Sequence, residues 1–191
     1  MKIYKIGIIG CGGIAQKMAA TLEKMKGVER YAVASRNQEK AEAFANKWGF
    51  TKAYGSYEEL ASDPEVDLIY IATPHAMHYD NAHMCIEKGK PVLCEKAFTA
   101  NARQAEDLLA FAKEKGVFIT EAIWTRYMPL SLKIQELLKE GVIGTPYTLS
   151  ANLSYPISNK ERIIRPELAG GALLDIGVYT LNFAAMAFGS D

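Results

Sequence analysis

The sequence predicts an α/β fold, a doubly wound parallel sheet followed by an incomplete second α+β domain. Three observations carry that expectation. The apolar run Ile6-Gly7-Ile8-Ile9 breaks into the turn Gly10-Cys11-Gly12-Gly13-Ile14-Ala15, which opens a helix. Short apolar runs then alternate with segments of helical spacing as far as Thr120, and unbroken apolar strands of this kind belong in a parallel sheet covered on both faces. After Trp124 the rhythm changes, so the expected division is residues 1–122 for the first domain and 123–191 for the start of the second.

Each element has its own signal. Ala15 to Met25 is spaced as a helix, and Glu29 to Ala34 is a second strand ending at Ser35-Arg36. Asn37 is an N-cap for a helix to about Trp48, followed by an extended piece at Ala53-Tyr54 and a helix around Tyr57 to Ala61. Asp67 to Ala72 is a continuous apolar strand, Ala76 to Glu87 a helix closed by Gly89, and Pro91 to Cys94 another buried strand. Asn101 caps a helix to Lys115, Gly116 ends it, and Val117 to Thr120 is the last strand of the series. Beyond it come a helix from about Leu130 to Glu140, a turn at Gly141 to Pro146 and a long extended run from Tyr147 to Tyr155. Ser158 to Glu167 is polar and reads as a loop, and Gly170-Gly171 precedes an apolar helix reaching about Phe188. A single long strand cannot pair both its edges by itself, so the second domain reads as unfinished.

Composition narrows the function classes. Lys plus Arg and Asp plus Glu both number 22, which gives no electrostatic footprint for nucleic acid, and no basic amphipathic stretch points to a membrane surface. No segment reads as long and apolar enough to span a bilayer. A small-molecule partner is expected. Cys11, Cys85 and Cys94 have no metal spacing and fit a reducing, cytoplasmic compartment. Hydrophobic residues make up 49%, enough for a real core.

Ligands of a doubly wound sheet bind beyond the carboxyl ends of its strands, so the residues just after each strand carry the chemistry. In the glycine turn, Gly10 permits the sharp turn, Gly12 lets a pyrophosphate approach the backbone, and Ala15 is small enough for close helix packing. The phosphates would then lie among free N–H groups at a helix start. Ser35-Arg36 stands where an NAD site presents an acidic residue to the ribose 2′-hydroxyl; a guanidinium beside a hydroxyl suits a 2′-phosphate, so NADP is expected over NAD. Lys40, one turn on, adds a second cation; a solvated basic turn is the plain alternative.

Thr73-Pro74 closes the fourth strand with a rigid turn, and His75, His78 and His83 follow without the spacing of a zinc helix, so no metal is expected. These are helix-start histidines that hydrogen-bond locally or approach the nicotinamide edge, and His78 is the one expected to face the cleft. Glu95-Lys96 brings an ammonium to the sheet mouth, where it can polarise an alcohol oxygen or relay its proton, with Glu95 orienting it. An exposed charged turn is the alternative. Asp175 and Tyr179, four residues apart on the final helix, share a face. A phenol has a pKa of about 10 and acts as a base at neutral pH only beside a cation, which Lys96 can supply. Simple packing and helix-dipole roles would explain the same two residues. Trp124, Arg126 and Tyr127 give flat apolar surface and fixed charge, either at a substrate pocket or in plain core.

Together these segments resemble the glucose-fructose oxidoreductase and inositol dehydrogenase family (Gfo/Idh/MocA). The resemblance lies in Gly10-Cys11-Gly12-Gly13-Ile14-Ala15, Thr73-Pro74 with His78, Val92-Leu93-Cys94-Glu95-Lys96, and Gly170-Gly171-Ala172-Leu173-Leu174-Asp175-Ile176-Gly177-Val178-Tyr179, in the family's order and across nearly the whole chain. Ser35-Arg36, the run Glu121 to Tyr127, and Tyr179 look most like the branch holding dimeric dihydrodiol dehydrogenase and NADP-dependent D-xylose dehydrogenase. The resemblance implies a Rossmann domain and oxidation of a sugar hydroxyl or vicinal diol with NADP, in a homo-oligomer. Lys96 and Tyr179 would be the catalytic pair, supported by Asp175, with Trp124 and Arg126 toward substrate. Cofactor contacts would come from Gly10, Gly12, Gly13, Ile14, Ala15, Ser35, Arg36, Lys40, Thr73, Pro74, His78, Glu95 and Lys96. A non-catalytic cofactor-binding regulator or scaffold is the reading from another class, and an inactive fragment of the enzyme a third.

Two departures stand out. The family follows its Glu-Lys pair with proline, where this chain has Ala97; a cis peptide before a non-proline residue costs about 3 kcal/mol, which allows a trans turn or a looser lysine. The second domain also lacks the family's full antiparallel sheet, so the chain reads as truncated.

Overall fold

Apolar residues confined to short runs between turn and cap residues leave each run one way to hide both faces, which is to lie between helices in a parallel sheet. The computed structural model, describing residues 2–157 and 159–189, shows that arrangement. Its strands are β1 (Tyr4–Ile9), β2 (Val28–Ala34), β3 (Lys52–Tyr54), β4 (Leu68–Ile71), β5 (Val92–Cys94) and β6 (Ile119–Glu121). They form one sheet in the order β3-β2-β1-β4-β5-β6 with every pairing parallel, the Rossmann order. The connecting helices are α1 (Gly13–Lys24), α2 (Gln38–Trp48), α3 (Tyr57–Ser62), α4 (His78–Glu87) and α5 (Ala102–Lys115).

Caps set where the helices start. Asn37 accepts the Lys40 N–H at 2.8 Å, Asn101 accepts the Gln104 N–H at 3.0 Å, and Ser56 and Glu59 form a reciprocal capping box for α3. Gly116, in the left-handed conformation at φ 65°, ends α5. The core lies between sheet and helices: Ile9, Ile69, Ile71, Val92 and Cys94 pack with Leu60, Ile86 and Leu108, all fully buried. Each large aliphatic buried this way contributes about 1.5–3 kcal/mol.

Contacts divide the chain into two compact units, Met1–Glu121 and Ala122–Asp191. The second contains α6 (Pro129–Lys139), α7 (Glu161–Ile164) and α8 (Val178–Phe188), with short 3-10 turns at Trp124–Tyr127 and Pro166–Leu168 and a π-helical turn at Leu173–Gly177. Three expectations are corrected here. Residues 147–155 form no strand, because a β ladder needs a second strand and none pairs with this run among the described residues. The expected loop from Ser158 to Glu167 contains α7 and the start of a 3-10 turn, while Ser158 itself lies outside the described residues. Finally, Pro166–Phe188 is, by length and composition alone, long and apolar enough to cross a membrane, contrary to expectation. The stretch contains Gly170-Gly171 and carries Glu167 and Asp175.

Candidate active site

The strand order sets the carboxyl ends of β1 and β4 side by side where the two halves of the sheet diverge. Gly10 takes φ +99°, and a Cβ there would stand 2.8 Å from the Ala72 carbonyl oxygen, so only glycine fits this turn. The first turn of α1 has no side-chain cap and no acidic residue, and Gly12 is its N-cap. A Cβ on Gly12 would find only the Ala72 oxygen, at 4.0 Å, and one on Gly13 would meet nothing within 4 Å. Bare N–H groups and the positive end of a helix dipole thus face open space, which fits a dinucleotide pyrophosphate. Ala15 is fully buried beneath the turn, and Ile14 is partly exposed beside it.

At the end of β2, Ser35 is buried while Arg36 and Lys40 are exposed. The Ser35 hydroxyl oxygen accepts the Asn37 N–H at 3.4 Å. Burial raises the pKa of the Cys11 thiol, opposed by the Lys40 charge and a contact with Ser35, which places the glycine turn next to these two residues. Tyr57 was not foreseen in this group. Burial raises its phenol's pKa while the neighbouring Arg36 guanidinium opposes the shift. A tyrosine opening a short helix carries no sequence sign of that neighbour.

Thr73 and Pro74 lie beyond β4. The Thr73 hydroxyl accepts from Asn81 Nδ2 at 3.0 Å, and the Pro74 carbonyl accepts the Met77 N–H at 2.9 Å. His78 does not face a cleft. Its ring is completely buried, with Nδ1 2.7 Å from the Ala97 carbonyl oxygen and Nε2 2.9 Å from that of Thr73. Burial lowers its pKa, against the pull of those carbonyls. The expected cofactor contact becomes a tie between two turns, because a donor spanning two carbonyls is used up inside the fold. His75 is also buried, and His83 stacks on Phe111 with ring centroids 4.1 Å apart. Among the described residues no three His, Cys, Asp or Glu side chains come together as a metal site.

Glu95 and Lys96 follow β5, next in the sheet to β4. The Glu95 carboxylate accepts the Tyr70 hydroxyl and, at 3.2 Å, the Lys96 N–H. Burial raises the Glu95 pKa, with Tyr70 and Lys96 acting against it. The Lys96–Ala97 peptide is cis, so of the turns Ala97 allows the trans one is not adopted. In the sequence Glu121 stands out only as the first residue of the run Glu121 to Tyr127. It accepts the Phe98 N–H at 2.9 Å, and burial raises its pKa, reinforced by Glu95 and opposed by Lys96.

In the second unit, Trp124 Nε1 donates to the Tyr179 hydroxyl oxygen at 3.0 Å, with the two rings edge to face at 6.2 Å. Arg126 is half-buried in the same 3-10 turn. Asp175 is buried and accepts from Arg162 Nη1 at 2.5 Å. It lies in the π-helical turn Leu173–Gly177, four residues before Tyr179 in α8. Neither the π turn nor Arg162, in the segment read as loop, had a sequence signal.

The pattern of the oxidoreductase family with an NAD-binding Rossmann fold (GFO/IDH/MocA) matches residues 4–122, and that of the GFO/IDH/MocA C-terminal domain matches 131–191. The chain is 44% identical to the D-xylose 1-dehydrogenase (NADP(+)) of Hypocrea jecorina, over 94% of this chain and 51% of that protein. It is 40% identical to human trans-1,2-dihydrobenzene-1,2-diol dehydrogenase, over 96% of this chain and 55% of the relative. A 3-ketoreductase from Actinomadura kijaniata, solved in complex with NADP, superposes with a TM-score of 0.83 at 31% identity, covering 97% of this chain and 56% of that one. The chain thus spans about half the length of the curated relatives it matches.

Proposed function

Because the chain belongs to the Gfo/Idh/MocA oxidoreductase family, we propose that it is a dehydrogenase that uses NADP to oxidise a secondary hydroxyl of a sugar or vicinal diol. One observation carries this reading: His78 ties the Thr73 carbonyl, beside the glycine turn, to the Ala97 carbonyl, beside Lys96. A lysine is thereby held next to a cradle that fits a dinucleotide. The relatives' names supply the substrate classes, D-xylose in one and a dihydrodiol in the other.

The chain's residues divide the work. The N–H groups after Gly12 hold the pyrophosphate, and Arg36, with Ser35 and Lys40, holds the 2′-phosphate. When bound, NADP supplies the hydride acceptor at nicotinamide C4. Lys96 polarises the substrate oxygen and passes on its proton; Tyr179 is its partner in that exchange, and Asp175 supports the pair. Trp124 and Arg126 contact the substrate. We place the protein in the cytoplasm, a reading supported by its free cysteines, as a homo-oligomer with no nucleic-acid or membrane partner, its 22 basic and 22 acidic residues being in balance.

The test is a screen of pentoses, hexoses, inositols and trans-dihydrodiols with NADP, run on wild type and Lys96→Met. Turnover by wild type, lost by at least about a thousandfold in the variant with NADP affinity kept, is expected. Binding of NADP without turnover of any substrate would favour a regulator or scaffold, and unchanged turnover in Lys96→Met would remove the lysine from the chemistry.

A further inference from the structure

Residues 95–98 belong to no helix or ladder, so the position of the Lys96 backbone depends on what surrounds it. Three successive main-chain groups are each taken by a different side chain. The Lys96 N–H goes to Glu95, the Ala97 carbonyl faces His78 Nδ1, and the Phe98 N–H goes to Glu121. Glu95 is held in turn by Tyr70, and His78 by the Thr73 carbonyl.

Glu121 is the member whose presence most needs a reason. It ends β6, opposite Cys94 in the register, at a place where an apolar residue would pack at no electrostatic cost. A carboxylate here is disfavoured by burial and by the nearby Glu95. Its oxygen meets a part-buried N–H that it keeps paired. That N–H lies two residues after Lys96.

We propose that Glu121, together with His78, is a positioning residue that sets where the Lys96 ammonium stands without touching cofactor or substrate. This rests on the proton-transfer role given to Lys96 above. The working element is the bond to Phe98, so an amide serves as well as a carboxylate.

The test compares Glu121→Met, Glu121→Gln and His78→Gln with wild type and Lys96→Met in the full chain. Turnover is read with D-xylose and trans-1,2-dihydrobenzene-1,2-diol, NADP affinity by titration, Phe98 amide exchange by NMR, and Lys96 reactivity toward ethyl acetimidate by peptide mass spectrometry. In Glu121→Met we expect Phe98 exchange to speed up, Lys96 labelling to change, and kcat to fall about 10- to 100-fold with NADP affinity kept. Glu121→Gln restores all three, and His78→Gln repeats the Lys96 change in a second background. Should Glu121→Met not fold, Glu121→Ala carries the same expectation.

Faster Phe98 exchange with unaltered Lys96 labelling and kcat would overturn the proposal, as would a Glu121→Gln variant as impaired as Glu121→Met. Lys96→Met inactive beside an unimpaired Glu121→Met would sink the positioning role alone. An active Lys96→Met would sink the catalytic reading with it.

Discussion

At the end of β2, Arg36 is exposed, with a buried serine before it and the exposed Lys40 four residues on. A guanidinium so placed can meet a 2′-phosphate with charge-assisted bonds worth about 1.5–3 kcal/mol, or about 10- to 100-fold in affinity. Arg36→Ala is therefore expected to weaken NADP binding by that factor and leave NAD binding nearly unchanged, as read by calorimetric titration of both. Equal losses for the two cofactors would take the phosphate role away from Arg36. The residue types that bear charge at strand ends were legible in the sequence, because strand ends can be located from apolar runs. His78 was not, since whether an imidazole reaches into a cleft or bridges two carbonyls depends on which turns the fold brings against it.

At the scale of elements, β3 is a three-residue edge strand, and the end of α3 holds it in place. Asp63, the residue capping that helix end, receives the Lys52 ammonium at 2.8 Å and the Tyr54 hydroxyl at 2.6 Å, both from β3, and the Glu65 N–H at 2.9 Å. Burial works against the carboxylate, but these partners outweigh it and hold its pKa at about 2 against an ordinary 3.8. A carboxyl depressed by folding stabilises above its unfolded pKa and loses that contribution as the pH falls through the folded value. The contribution of this cluster is thus complete above about pH 4 and gone near pH 2. Asp63→Asn is expected to lower stability at pH 7 and to flatten the acid loss between those values, measured by urea unfolding across the range; an unchanged pH slope would exclude Asp63 as its source. Caps and continuous apolar strands made the first unit's elements readable. Tyr147 to Tyr155 misled because strand-like spacing becomes a strand only with a partner, and the π turn at Leu173–Gly177 has the same apolar composition as regular helix.

For the whole molecule, the second unit leaves large apolar side chains in the open, among them Leu130 at 65%, Ile143 at 71%, Tyr147 at 88% and Leu173 at 64% exposure. Apolar surface on this scale is a reason for association. Sedimentation velocity of the chain is expected to show species heavier than its 21.1 kDa monomer, with charged substitutions at Ile143 and Tyr147 shifting the distribution toward monomer. A monomer at all concentrations would count against the homo-oligomer.

The strand order has a consequence for how such a protein can be altered. The loop that follows β2 and the turn that follows β5 are separated in the sheet by β1 and β4, three strand spacings or about 14 Å apart. Under the proposed function, one half of the sheet selects the nucleotide and the other carries the lysine. Cofactor choice and reactivity are therefore separate modules on one scaffold: a lineage, or an engineer, can exchange NADP for NAD by rewriting residues 35–40 while the lysine turn and its braces stay as they are.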